Sequence, residues 1–216
     1  MIIKPFQNSN FFTDEEYNDI YKMVDAVSNK GLEDHNNQYA YWNFLPNNGF
    51  IVINSQDSIP ASVRKKCKEE MSRVLGEPCA QVGILFARYT LDSGSTPSLM
   101  PHSDRSEFFA GLYGTVELNK TLDWDFYVED EKFEMNKNSI VWFTGTHQPH
   151  WRPDMDFTEK DHYDILLFQT HTPSDTVGLD EEFFNSMDDL CGVYVEKYAH
   201  MFPKGLAKEM MVDGCQ

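Results

Sequence analysis

The chain has 216 residues, with 18 basic against 35 acidic side chains and a formal charge of −17. That length suits one domain able to bury a core without staples, and the charge repels phosphate backbones and anionic lipid, which argues against nucleic acid and membranes as partners. Cys67, Cys79, Cys191 and Cys215 show no C-x-x-C spacing and read as reduced thiols, not as zinc ligands or a disulfide framework. With no basic-then-apolar leader and no apolar run of bilayer length in the sequence, the cytoplasm is the expected compartment.

The single domain is expected in three parts: N-terminal helices and edge strands over 1–80, a β-rich core over 81–172 and a helical tail over 173–216. Residues 1–12 read as an extended lead-in able to add an edge strand. Thr13 followed by Glu16 is a capping-box signature, and Tyr17, Ile20, Tyr21, Val24 and Val27 recur at helical spacing, which predicts a helix over 13–28. A polar loop over 29–38, in which His35 is a solvated residue, leads to short strands at 39–44 and 49–53 around a Pro-Asn-Asn-Gly turn. Ser58 and Pro60 open a second helix with Val63, Cys67, Met71, Val74 and Leu75 on one face, and Gly76 ends it. Arg64-Lys65-Lys66, the only compact basic run, falls on the solvated side of that helix.

From Gln81 the chain is rich in aromatic and β-branched residues bounded by turn residues. Strand-like pieces lie at 82–90, 98–102, 108–118, 124–128, 132–135, 139–143, 150–152 and 162–170. Eight such pieces suit a double-sheet jelly roll, a double-stranded β-helix of cupin-like type, with the two helices packed on its outside. Beyond Pro173, helical periodicity returns over 179–198, with a shorter piece near 204–211. That tail is the candidate for covering a flank of the sheet or for contact between two copies of the chain.

Within the core, Pro101-His102-Ser103-Asp104 puts an imidazole and a carboxylate on one side of an extended segment, because side chains alternate with a period of two. A histidine from another strand would complete two histidines and one carboxylate, the facial set that holds Fe(II) and leaves positions open for substrate and oxygen. The candidates are His147 and His150 in Thr146-His147-Gln148-Pro149-His150-Trp151-Arg152. His150 is preferred because a strand starts there, whereas His147 sits in the preceding loop. Trp124, Trp142 and Trp151 are expected to line the barrel or its rim.

These residues, in this order, resemble the iron- and 2-oxoglutarate-dependent dioxygenases, particularly the prolyl-hydroxylase-like branch and its phage and microbial relatives. The resemblance covers roughly 82–172 and rests on Arg88-Tyr89, Gly94, His102 and Asp104, the apolar Ile140 to Phe143, and His150. It implies an Fe(II) site and 2-oxoglutarate as cosubstrate, whose far carboxylate needs a buried cation or hydroxyl. The family device is an arginine or lysine opening the last strand, with Ser or Thr two residues on. Here the place reads Lys160-Asp161-His162-Tyr163-Asp164, with an acid beyond the tyrosine. The candidate anchors are therefore Arg152, on the same face as His150; Lys160, if it opens the strand; and Arg88 with Tyr89. Arg152 is preferred, and Arg105 or Arg88 could meet an acidic substrate group. The resemblance implies hydroxylation of an amino-acid side chain, free or in a peptide. Two alternatives stay open: a cupin-like metalloenzyme that does not use 2-oxoglutarate, and a non-enzymatic jelly-roll binding protein.

Overall fold

Alternation along the strands decides how this chain packs, because the central strands of the larger sheet have one side toward a second sheet and the other toward helices. The computed structural model describes residues 2–22, 41–43, 50–53, 59–79, 81–91, 97, 99–102, 112–145 and 147–171. The strands are β1 (Phe6–Asn8), β2 (Tyr41–Asn43), β3 (Phe50–Ile53), β4 (Gln81–Thr90), β5 (Leu99–His102), β6 (Tyr113–Lys120), β7 (Phe126–Val128), β8 (Glu131–Phe133), β9 (Ile140–Phe143), β10 (His150–Arg152) and β11 (His162–His171). A seven-stranded sheet runs β1-β9-β6-β11-β4-β3-β2, and a four-stranded sheet runs β5-β10-β7-β8. From β4 onward the chain passes back and forth between the two sheets. The eight strands β4 to β11 form a double-stranded β-helix, the jelly roll expected from the spacing of the apolar runs.

The inner face, between the sheets, is lined by Tyr89, Tyr113, Trp124, Phe126, Val128, Phe143, Tyr163 and Ile165. On the outer face of the large sheet, Ile84, Phe86, Val116, Leu118, Ile140, Trp142, Leu166 and Phe168 meet the helices. Both faces are covered, so β9 is buried at every residue from Ile140 to Phe143 and reads as a continuous apolar run. Trp142 lies on the outer, helix-covered side, a correction to the expectation that it lines the barrel. The alternation that brings Val141 and Phe143 inward turns it outward.

Among the described residues helix α1 runs over 14–22, and the remainder of the helix predicted over 13–28 lies outside them. Thr13 and Glu16 close the expected capping box: the Thr13 N–H donates to Glu16 Oε2 at 2.8 Å, and the Glu16 N–H donates to Thr13 Oγ1 at 3.2 Å. Helix α2 (Ala61–Leu75) buries Val63, Cys67, Met71 and Leu75, one face at helical spacing. Gly76 stops it in a left-handed conformation, φ 76°, with its N–H on the Ser72 carbonyl at 2.9 Å. The expected lead-in strand is β1, which pairs antiparallel with β9 at the sheet edge. Among the described residues no helix is long and apolar enough to cross a membrane. The predicted loop at 29–38, the start of the strand predicted over 108–118 and the predicted helices beyond 173 lie outside the described residues.

Gly114 of β6 is registered opposite Trp142 of β9. A Cβ at this glycine would stand 2.7 Å from Trp142 Cζ3 and 2.9 Å from Ile140 Cδ1. Both neighbours are fully buried and cannot move away. Gly114→Ala is therefore expected to lower stability by about 1–3 kcal/mol, the usual cost of overpacking. The measurement is a denaturant titration, in which the midpoint falls at unchanged slope.

Candidate active site

Three residues of β10 organise the inner face. His150 and Arg152 point inward and are buried, while Trp151 between them points outward and stacks on Tyr127 with ring centroids 4.1 Å apart. On one side β10 pairs with β5, registering His150 opposite His102. The two imidazoles face each other with centroids 4.3 Å apart. Phe143 and Phe126 pack on the His150 ring at 4.7 and 6.0 Å. Nδ1 of His150 lies 3.1 Å from the Gln148 carbonyl oxygen. A carbonyl only accepts, so this contact places a hydrogen on Nδ1; in a neutral ring of that tautomer Nε2 is the nitrogen with the lone pair that a metal ligand needs.

The other sequence candidate, His147, stands in the turn before β10, where its N–H donates to the Thr144 carbonyl at 2.9 Å. It has no place in the β5–β10 ladder. Asp104 and Arg105 lie outside the described residues. Among the described residues alone, no three His, Cys, Asp or Glu side chains converge as a metal set. The described donors are thus two facing imidazoles at the end of β5, two residues short of Asp104.

Arg152 is 2% exposed. Its guanidinium lies 4.4 Å from the Tyr163 ring centroid, 5.0 Å from that of Phe126 and 5.1 Å from that of Trp124. Nη1 donates to the Trp124 carbonyl at 2.6 Å. Among the described residues, Nε and Nη2, the side-on edge that takes a carboxylate in two parallel bonds, have no hydrogen-bond partner, and neither has Oγ1 of Thr115. Thr115 projects inward from β6 between Tyr113, whose register partner Phe143 packs on His150, and Glu117. Buried donors left unpaired are costly and uncommon. Together they mark a space between the sheets suited to an anion.

Glu117, 1% exposed, is the acid of this interior. Lys120 Nζ contacts its Oε2 at 3.0 Å, and the Tyr163 hydroxyl donates to the same oxygen at 3.3 Å. Burial pushes the Glu117 carboxyl above its ordinary range, against the pull of Lys120. Burial also pushes the Tyr163 phenol up to about 12, with the charge of Arg152 pulling the other way. Glu117 is held by Lys120 and Tyr163, which leaves the side-on edge of Arg152 available. The sequence did carry a signal for this acid: Glu117 is the one charged residue in the otherwise uncharged run from Tyr113 to Leu118.

The remaining candidate anchors separate cleanly. Tyr89 is on the inner face, its ring edge-on to Trp124 at 4.9 Å. Arg88, the next residue back, is carried by alternation to the outer face. There its Nε and Nη2 each donate to the Asp164 carboxylate at 2.8 Å. Lys160 is exposed in the turn before β11, which starts at His162. Neither cation reaches the inner face. Asp164, which departs from the hydroxyl expected at its position, also belongs to the outer face, so it does not oppose an anion in the barrel. Trp124 lines the barrel, and Trp151 lies on the outside of the small sheet.

No family model matches the sequence, and no curated protein matches it. Solved structures do match. A prolyl hydroxylase from Trichoplax adhaerens, in complex with a hypoxia inducible factor oxygen degradation domain peptide fragment, aligns with a TM-score of 0.60 at 12% identity, over 82% of this chain and 87% of that one. A Pseudomonas putida prolyl-4-hydroxylase aligns at 0.54 and 11% identity, over 78% and 92%. SnoN, a non-heme alpha-ketoglutarate dependent epimerase from nogalamycin biosynthesis, aligns at 0.55 and 10% identity, over 76% and 78%. The fold is that of these enzymes. It includes the jelly-roll core and extends over most of each compared chain.

The raised carboxyl of Glu117 has a stability signature. The folded chain binds this proton more tightly than the unfolded chain, so its contribution is complete below the ordinary value of 4.5 and is lost as pH rises through the raised value. Glu117→Gln keeps an acceptor for Tyr163 and removes the titration. Denaturation at a series of pH values is expected to show the variant gaining on the parent as pH climbs from 4.5; a difference independent of pH would contradict the assignment.

Proposed function

We propose that this protein is an Fe(II)- and 2-oxoglutarate-dependent oxygenase that hydroxylates an amino-acid side chain, free or within a peptide. The observation that carries this reading is the side-on edge of Arg152, without a hydrogen-bond partner among the described residues, on the same face of β10 as His150 and two residues beyond it. Two residues of strand span about 7 Å. A five-carbon keto diacid is of suitable length to chelate a metal beside His150 and lay its far carboxylate along Nε and Nη2 of Arg152. Thr115 offers its hydroxyl on the way.

In this reading His102, Asp104 and His150 hold the iron, and Arg152 with Tyr89 and Thr115 holds the cosubstrate. Bound iron supplies the redox chemistry that couples oxygen and decarboxylation of the keto acid to hydroxylation of a C–H bond. The protein's own part is orientation and exclusion of water. The Gln148 carbonyl fixes the His150 tautomer, the β5–β10 ladder fixes the spacing of the two imidazoles, and Phe126 and Phe143 pack on the His150 ring while Trp124 packs on the Arg152 guanidinium. An amino-acid side chain as substrate is supported by the prolyl hydroxylases among the structural neighbours, one of them in complex with a peptide fragment. The epimerase among them is the reason the proposal stops at that class.

The test is anaerobic Fe(II) binding with and without 2-oxoglutarate, followed by the visible charge-transfer band of the chelated complex. The band is expected in the parent and in His147→Ala, and absent in His150→Ala. Arg152→Met is expected to keep Fe(II) binding while weakening 2-oxoglutarate about a hundredfold or more, since removing one partner of a buried charge pair costs about 2–5 kcal/mol. Iron binding without the band in the parent would point to a metalloenzyme that does not use 2-oxoglutarate, and no iron binding would point to a binding module.

A further inference from the structure

The turn that delivers His150 to the site is tied to the N-terminal segment by a closed set of hydrogen bonds. Gln148 is 2% exposed and Thr144 is 1% exposed. The Gln148 side chain bridges two pieces of chain: Oε1 accepts from the Thr144 N–H at 2.7 Å, and Nε2 donates to the Ile3 carbonyl at 3.0 Å. The Ile3 N–H in turn donates to Thr144 Oγ1 at 3.1 Å. Within the turn, the His147 and Gln148 N–H groups both donate to the Thr144 carbonyl at 2.9 Å. On the far side, the Glu129 N–H holds the Pro149 carbonyl at 2.7 Å. Ile3 itself is kept in place by β1, whose Phe6 is registered opposite Trp142 of β9.

We propose that Gln148, clamped to Ile3 and Thr144, is a positioning residue that fixes the ring orientation and tautomer of His150, which makes the segment around Ile3 part of the support of the metal site. The connection is direct, because the acceptor for His150 Nδ1 is the backbone carbonyl of Gln148 itself. Any shift of the Gln148 backbone moves the imidazole with it. Partners of this kind orient a ligand and raise its basicity, and their loss typically weakens metal binding about 10–100-fold. A buried glutamine bonded at both ends of its amide leaves the backbone little freedom. A loop around His147 held only by its own turn would let the ring rotate.

The inference rests on His150 being a ligand, and the experiment separates the two ideas. Co(II) is titrated into the full chain, with affinity and the visible ligand-field spectrum both read, for the parent and for Gln148→Met, Thr144→Val and His150→Ala. Gln148→Met keeps the side-chain volume and removes both amide bonds, and Thr144→Val removes only the bond from Ile3. The expected result is loss of binding in His150→Ala, about 10–100-fold weaker binding with an altered spectrum in Gln148→Met, and a smaller shift in the same direction in Thr144→Val. Parent-like affinity and spectrum in Gln148→Met, with His150→Ala inactive in binding, would overturn the positioning role alone. Parent-like binding in His150→Ala would overturn the ligand assignment and this inference with it. Should Gln148→Met fail to fold, Thr144→Val decides: weakened binding supports the clamp, and parent-like binding overturns it.

Discussion

Antiparallel pairing of β10 with β5 on one side and β7 on the other is what the interior of this barrel depends on. That pairing sets His150 opposite His102. The two-residue period of the strand then sends Arg152 to the same inner face and Trp151 to the outer one. A slip of one residue would exchange these faces, exposing the imidazole and burying the indole. The pairing is guarded on both flanks, by the Pro149 carbonyl bonded to Glu129 and by the Gln148 amide bonded to Thr144 and Ile3.

Charge inside the barrel follows from the same geometry. A guanidinium as buried as that of Arg152 needs compensation. Part comes from the Trp124 carbonyl and from the aromatic faces of Tyr163, Phe126 and Trp124, and part from the field of Glu117. Lys120 and Tyr163 absorb much of the Glu117 charge before Arg152 can. Arg88 and Asp164 show the completed form of the same contact on the opposite face of the large sheet, with both bonds of the side-on edge at 2.8 Å. One arginine edge is filled by a carboxylate of the protein, and the other has no hydrogen-bond partner among the described residues.

Much of this was readable in the sequence. The strands expected at 82–90, 139–143, 150–152 and 162–170 correspond to β4, β9, β10 and β11 within a residue or so at each end, because apolar alternation and turn residues bound them sharply. The capping box at Thr13 and the stop at Gly76 were equally legible, since both depend on local hydrogen bonds and local backbone conformation. The side to which an isolated charged residue points was not. Arg88 and Arg152 are both arginines on strands next to aromatic residues, and only the register of their strands tells them apart. Lys160 was a candidate only if it opened the last strand, but Asp161 bonds back to Thr158 through its N–H at 2.9 Å and through its carboxylate. The strand starts at His162, as its expected span has it, and the turn leaves the lysine in solvent.

The order of the described strands, the start of α1, the end of α2 and the alternation that puts His150 and Arg152 on one face could be read from the sequence, because all of these follow from contacts a few residues apart. Only the tertiary structure decided that His102 faces His150 across a ladder, that Arg88 is consumed by Asp164, and that Gln148 reaches Ile3. Each of those pairings joins residues far apart in the chain through strand register and sheet crossing. Local propensity carries no information about which strand will lie beside which, and the shared burial of both sheet faces selects the answer.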